Sequence, residues 1–110
     1  MVSVVKHRDA KFQAVDQVRE LLEAISHDNY EETMKALDIL GRYNPLVYQT
    51  RVDDSHFSSS DLIFVVIPGM GTQVFFVPQC SGDPVTEFFL YPGDMEGLIE
   101  TLQKIRGVNG

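Results

Sequence analysis

The densest set of side chains that could bind a cation lies between residues 53 and 61. Asp53, Asp54, His56 and Asp61 combine carboxylate oxygens with an imidazole, and such donors can hold a divalent metal ion. Their spacing matches no defined cation loop, because the ligand order, the central glycine and the terminal Glu of an EF-hand are missing. The sequence therefore predicts a solvated loop here, with no metal.

A catalytic nucleophile would have to be Cys80 or a serine, activated by a base that a third group holds in place. No histidine is near Cys80 in the sequence, and the serine run at 58–60 lacks a surrounding G-x-S-x-G elbow. The glycine segment at 68–72 lacks the GK[ST] ending of a phosphate loop. We therefore expect neither an enzyme nor a bound cofactor.

The charges are distributed unevenly along the chain. Sixteen acidic and nine basic residues give a formal net charge of -7, and residues 52–103 contain eight acidic side chains but no Lys or Arg. Binding to a phosphate backbone requires Lys or Arg to displace counterions. The sequence thus predicts that nucleic acid is not the ligand.

Length and composition indicate one domain spanning residues 1–110. The chain has 110 residues, of which 44% are hydrophobic, enough for one core without disulfides. It has a single cysteine, begins with no signal-peptide pattern, and has its longest apolar stretch at residues 62–67. Since a transmembrane helix needs about 20 apolar residues, we expect a cytoplasmic protein without membrane association.

Three segments have helical periodicity. Apolar residues recur every three or four positions over residues 9–26, over residues 28–41 and after Asp94. Asp28 and Glu31 fit a capping box at the start of the second helix, and Asp94 can cap the third. Gly41 and Gly107 are the expected helix ends. The third helix is predicted to pack on a sheet through Leu98, Ile99 and Leu102.

Between the second and third helices the apolar residues recur at every second position, a spacing that is typical of strands. The predicted strands are residues 46–52, 62–67, 72–77 and 85–91, and the second and third form a hairpin around Pro68-Gly69. The fold class is therefore α+β: two N-terminal helices, a mainly antiparallel four-stranded meander, and a C-terminal helix packed on the sheet. Strands two to four are apolar on both faces. We expect this apolar area to be larger than three short helices can cover.

In a meander, the connections after the first and third strands leave from the same end of the sheet. That end is the predicted partner-binding edge, because acidic side chains flank both connections. In size and charge the chain resembles the small acidic immunity proteins of bacterial toxin systems, which implies that it inhibits a toxin, such as a nuclease, with a basic active-site cleft. The predicted partner-binding residues are Asp53, Asp54, His56, Phe57, Asp61, Asp83 and Glu87.

The sequence leaves two other functions open. One is a homodimeric interaction module or chaperone-like protein that uses the apolar sheet face, which an exposed hydrophobic strand would favour. The other is a small enzyme or ligand-binding domain whose pocket is assembled from residues distant in the sequence.

Overall fold

The computed structural model describes residues 10–25, 28–53, 59–79 and 84–109. These residues form two N-terminal helices, four strands and a C-terminal helix, so the predicted α+β class is confirmed. In chain order the elements are a 3-10 turn Ala10–Phe12, α1 Gln13–Glu23, α2 Tyr30–Tyr43, β1 Val47–Asp53, β2 Ser59–Ile67, β3 Gly71–Pro78, β4 Thr86–Leu90 and α3 Pro92–Asn109.

The four strands form one antiparallel sheet in the order β1-β2-β3-β4, which confirms the predicted meander. Ile63 of β2 is opposite Phe75 of β3, and Phe75 is opposite Glu87 of β4. Because successive side chains in a strand point to opposite faces, this register assigns every strand residue to one of two faces. We call them the helix face, which α1 and α2 cover, and the outer face.

The hydrophobic core lies between the helix face and helices α1 and α2. Each helix contributes one apolar stripe, as its periodicity predicts, and the strands contribute alternate residues. The buried members of this core are Ala14, Val15, Val18, Leu22, Tyr30, Met34, Leu37, Val47, Ile63, Val65, Ile67, Phe75 and Val77.

The β2–β3 hairpin closes through a tight turn that requires glycine. The backbone N–H of Met70 donates to the carbonyl of Ile67, and Gly69, at φ 77°, follows Pro68, a pattern that fits a type II turn. A Cβ on Gly71 would lie 2.3 Å from the carbonyl oxygen of Leu90. The absence of a side chain there lets β4 approach the start of β3.

Several element boundaries differ from the sequence-based predictions. Strand β2 begins at Ser59, three residues before the predicted start, so Ser60 and Asp61 lie in the sheet. Helix α2 begins at Tyr30 after Asn29, with no side-chain cap, and runs through Gly41 to Tyr43. The predicted Asp28 cap is therefore wrong, and Gly41 does not end the helix.

Helix α3 begins with a Pro-Gly sequence directly after β4. Pro92 occupies the first helical position, where its missing N–H costs nothing, and Asp94 accepts a hydrogen bond from the backbone N–H of Tyr91 at 3.1 Å. Asp94 is thus inside the first turn and reaches back to the residue before the helix, as in half of a capping box. The helix continues past Gly107 to Asn109.

Helix α3 contacts strand β4, as predicted, but none of its described side chains is buried. Leu98 is 38% exposed, Ile99 47% and Leu102 53%. The prediction that these three side chains pin the helix on the sheet is wrong. Periodicity showed which side of the helix is apolar, but it carries no information about what covers that side.

Among the described helices, none combines the length and the apolar content needed to cross a bilayer.

The core position of Ile63 leads to a stability prediction. Ile63→Ala should lower the free energy of unfolding by about 2–5 kcal/mol, because the side chain is fully buried between helices and sheet. Ile39→Ala is the matched control, since Ile39 lies on α2 with 54% of its surface exposed. Urea unfolding of both variants measures the difference, and equal losses would contradict the placement of the core.

Candidate functional site

The predicted partner-binding residues do not form one surface among the described residues. Asp54, His56, Phe57 and Asp83 lie outside the described residues, as does Cys80. Asp53, Asp61 and Glu87 are described, and each has a different environment.

Asp53 is exposed at the end of β1 and accepts a hydrogen bond from the hydroxyl of Ser59 at 3.2 Å. The backbone N–H of Ser59 donates to the side-chain oxygen of Gln79, just after β3, at 3.1 Å. The ends of β1 and β3 therefore flank the start of β2 at one end of the sheet, as predicted for the connections that follow these two strands.

Glu87 lies on the helix face of β4 and is exposed there. Its Oε1 is 2.6 Å from Nη2 of Arg19 on α1 and 2.9 Å from Nε2 of Gln73. The pair with Glu87 raises the pKa of the Arg19 guanidinium. Glu87 thus connects α1 to the sheet and is already partnered by a cation of the same chain.

Asp61 is buried, with 1% of its surface exposed. The hydroxyl of Tyr30 on α2 donates to Oδ2, while Gln49 Nε2 lies 3.4 Å and Arg51 Nε 3.6 Å from Oδ1. Burial and the bond to Asp61 raise the pKa of Tyr30. Because a buried carboxylate needs such donors, Asp61 joins α2 to β1 and β2 and does not present its charge at the surface.

An open cleft of about 470 Å³ lies beside this cluster. Its volume is within the range of small-molecule pockets, about 300–1,000 Å³, but such pockets are mostly apolar. Met34 is the one aliphatic side chain in this lining. Within the described ranges, no three His, Cys, Asp or Glu side chains come together as a metal site. The cleft is lined by Tyr30, Glu31, Met34, Lys35, Asp38, Gln49, Arg51 and Gln79.

The outer face of the sheet contains no charged side chain at any of its fourteen described strand positions. Three residues of this face, Ser60, Thr72 and Val74, are buried. Val74 lies outside the helix-side core, since the register places it between Phe64 and Phe88. Phe88 and Tyr48 remain 48% and 59% exposed. The residues of this face are Tyr48, Thr50, Val52, Ser60, Leu62, Phe64, Val66, Thr72, Val74, Phe76, Pro78, Thr86, Phe88 and Leu90.

Helix α3 presents an exposed apolar surface, which we call the α3 stripe: Leu98, Ile99, Leu102 and Ile105. Their spacing of i, i+1, i+4 and i+7 places them along one side of the helix, and all four are exposed. Glu100 and Lys104 form an ion pair of 3.3 Å between Oε1 and Nζ, on the other side of the helix at 100° per residue. The stripe is therefore an exposed apolar strip along one side of the helix.

Comparisons with family models, curated proteins and solved structures found none that matches this chain.

The sequence predicted the outer face only as an excess of apolar strand residues. The sequence also contains a stronger signal for this face, because every second residue in each of the four strands is uncharged. Only the strand register shows that these uncharged residues share one face. The periodicity after Asp94 indicates the α3 stripe, but it predicts that the stripe packs on the sheet as part of the core. The uncharged outer face and the α3 stripe together form the candidate functional site.

The Asp61 cluster leads to a second stability prediction. Tyr30→Phe should lower the free energy of unfolding by about 1–3 kcal/mol, because it removes one hydrogen-bond donor from a buried carboxylate. Tyr43→Phe, at a residue 85% exposed, makes the same chemical change and should have almost no effect. Denaturant unfolding monitored by circular dichroism measures the two midpoints. Equal midpoints would show that the hydrogen bond from Tyr30 to Asp61 does not stabilise the fold.

Proposed function

We propose that this chain is a protein-binding module that acts by association and performs no catalysis. The observation that carries the proposal is the outer face of the sheet, which is largely apolar and uncharged at every described strand position, and on which Tyr48 and Phe88 remain about half exposed. The docking surface consists of this face, with the α3 stripe beside it.

The composition of the outer face is that of an interface core. Charged residues are depleted in the buried centre of protein interfaces, whereas aromatic residues are enriched there. Phe64, Phe76, Phe88 and Tyr48 all lie on this face. Large contiguous apolar patches are rare on proteins that have no partner. Covering these side chains with a polypeptide would therefore release a considerable hydrophobic free energy.

The charge of the chain favours a polypeptide as the ligand over a nucleic acid. The formal net charge is -7, and residues 52–103, which include most of the sheet, contain no Lys or Arg. A phosphate backbone would be repelled by this segment. With a single cysteine available, the chain needs no oxidising compartment, and we place its action in the cytoplasm.

Site-specific photo-crosslinking tests the docking surface. A photoreactive amino acid at Phe88 or Tyr48, introduced in the cells that produce the protein, should form a covalent adduct with another polypeptide chain. The same amino acid at Tyr43, exposed at the end of α2, should form no such adduct, since that position is far from the outer face. A lack of adducts at Phe88 and Tyr48 would refute the proposed function.

A second candidate function is inhibition of a basic toxin, as by an immunity protein. The observation that favours it is the exposed carboxylate of Asp53 at the shared end of β1 and β3, within a segment that has no positive side chain. An acidic edge of this kind complements the positive field with which a nuclease holds phosphates, and such complementarity accelerates association. If the chain inhibits a toxin through this edge, the outer face would contact a surface other than that of the toxin.

The toxin-inhibitor candidate predicts an electrostatic effect on the association rate. Asp53→Lys should slow binding to a cationic toxin encoded beside this chain by about tenfold at low salt, and added salt should slow the wild type. Glu20→Lys is the matched control, because Glu20 is likewise exposed but lies on α1 and not on β1 or β3. Stopped-flow measurements that gave equal rates for both variants would exclude the edge as the contact.

A further inference from the structure

Two apolar surfaces of the described residues, the outer face and the α3 stripe, include large side chains that remain about half exposed, among them Phe88, Tyr48 and Leu102. We infer that they cover each other between two copies: helix α3 of each copy packs on the outer face of the other, in a symmetric dimer. This inference rests on the proposed function, for which it names the partner. Such reciprocal exchange is a closed two-fold arrangement, in which both copies use the same pair of surfaces.

The dimensions of the two surfaces agree. Helix α3 has 18 residues, so it is about 27 Å long at 1.5 Å per residue. Strand β2 has nine residues, about 30 Å at 3.3 Å per residue. One helix lying along the middle strands would therefore cover the phenylalanines of the outer face over nearly the whole length of the sheet.

Helix α3 contacts β4 but buries none of its described side chains, and its connection to β4 accounts for this. Strand β4 ends at Leu90 and α3 begins at Pro92, so Tyr91 alone joins them. Connections between a strand and a helix that packs back on the sheet usually have about 2–6 residues. The hydrogen bond from the Tyr91 backbone to Asp94 also holds the first turn in its present direction. The short connection therefore leaves the α3 stripe exposed, where another copy can reach it.

The charge pattern favours a second copy over a different protein. Neither the α3 stripe nor the outer face contains a charged residue, whereas transient interfaces between different proteins are about as polar as ordinary surface. Homodimer interfaces are the more apolar class. The pair Glu100–Lys104 lies on the side of α3 that would remain in water.

The area of the contact is sufficient for a stable dimer. Two helices, each about 27 Å long and about 10 Å wide, would overlie about 540 Å² of sheet. Since helix and sheet both lose accessible surface, the total buried exceeds about 1,000 Å², the size that specific interfaces reach. The burial would also cover side chains such as Leu102 and Phe88, which a single copy leaves about half exposed.

Sedimentation equilibrium of the purified chain tests this inference. The wild type should be a dimer between about 1 and 100 µM, and Leu102→Asp should weaken dimerisation by more than about 100-fold, because each interface would bury two unpaired charges. Gln103→Asp is the matched control, since it adds the same charge at the next position, off the stripe. Circular dichroism verifies that both variants are folded, which the exposure of Leu102 leads us to expect.

Mixing two variants tests the reciprocal geometry. Leu102→Asp damages only the helix, and Phe88→Asp, with Tyr48→Asp as a second choice should that chain not fold, damages only the outer face. Each alone should be monomeric, whereas the mixture should form heterodimers, because the intact sheet of one variant can receive the intact helix of the other. A Phe88→Asp chain that remained dimeric would indicate a helix–helix contact and overturn the reciprocal arrangement, as would a mixture that stayed monomeric.

The results also separate this inference from the proposed function. A monomeric wild type with photo-adducts to a different protein at Phe88 would overturn the dimer and leave the protein-binding function in place. A monomeric wild type without any adduct would overturn both. Adducts between two copies of the chain at Phe88, which are lost in Leu102→Asp, would support both.

Discussion

A sheet with apolar side chains on both faces needs cover on both faces, and this constraint governs the rest of the structure. Helices α1 and α2 cover one face and form the core with it. The outer face has no described helix buried against it, while the one remaining described helix exposes its own apolar stripe. The hydrophobic effect is the main favourable term in folding and in most protein association. The surface that folding leaves uncovered is therefore the surface from which a binding function is inferred.

The covered face depends in turn on one buried carboxylate. Asp61 is only 1% exposed, so its charge must be balanced by donors from the protein. Tyr30 supplies one from α2, and Gln49 and Arg51 approach from β1. Because these donors and Asp61 itself come from three elements, α2, β1 and β2, the position of α2 over the sheet is tied to the β1–β2 register. Because Asp61 needs these buried donors, its carboxylate does not lie on the acidic partner-binding edge that the sequence predicts.

The element order and the meander were predictable, because periods of 3.6 and 2 residues report which side chains share a face. The start of β2 was not, since Ser59, Ser60 and Asp61 have the composition of a loop and join the sheet through pairing with β1 and β3. The burial of Asp61 depends on Tyr30, 31 residues away, a contact that no local pattern contains. The exposure of the α3 stripe was equally hidden, because the same periodicity describes a docked helix and an undocked one.

An apolar contact between two copies and an electrostatic contact with a basic partner respond to salt in opposite directions. Each copy carries a net charge of -7, so two copies repel each other, and screening that repulsion should strengthen a dimer whose interface has no charges. Binding of an acidic edge to a basic partner should weaken with salt, because salt screens the attraction. The Debye length falls from about 30 Å at 0.01 M to about 10 Å at 0.1 M ionic strength. The uncharged outer face can thus hold two like-charged chains together under the same conditions that weaken a charge-driven complex. Self-association and capture of a cationic partner therefore use different surfaces of this chain, and one does not require the other.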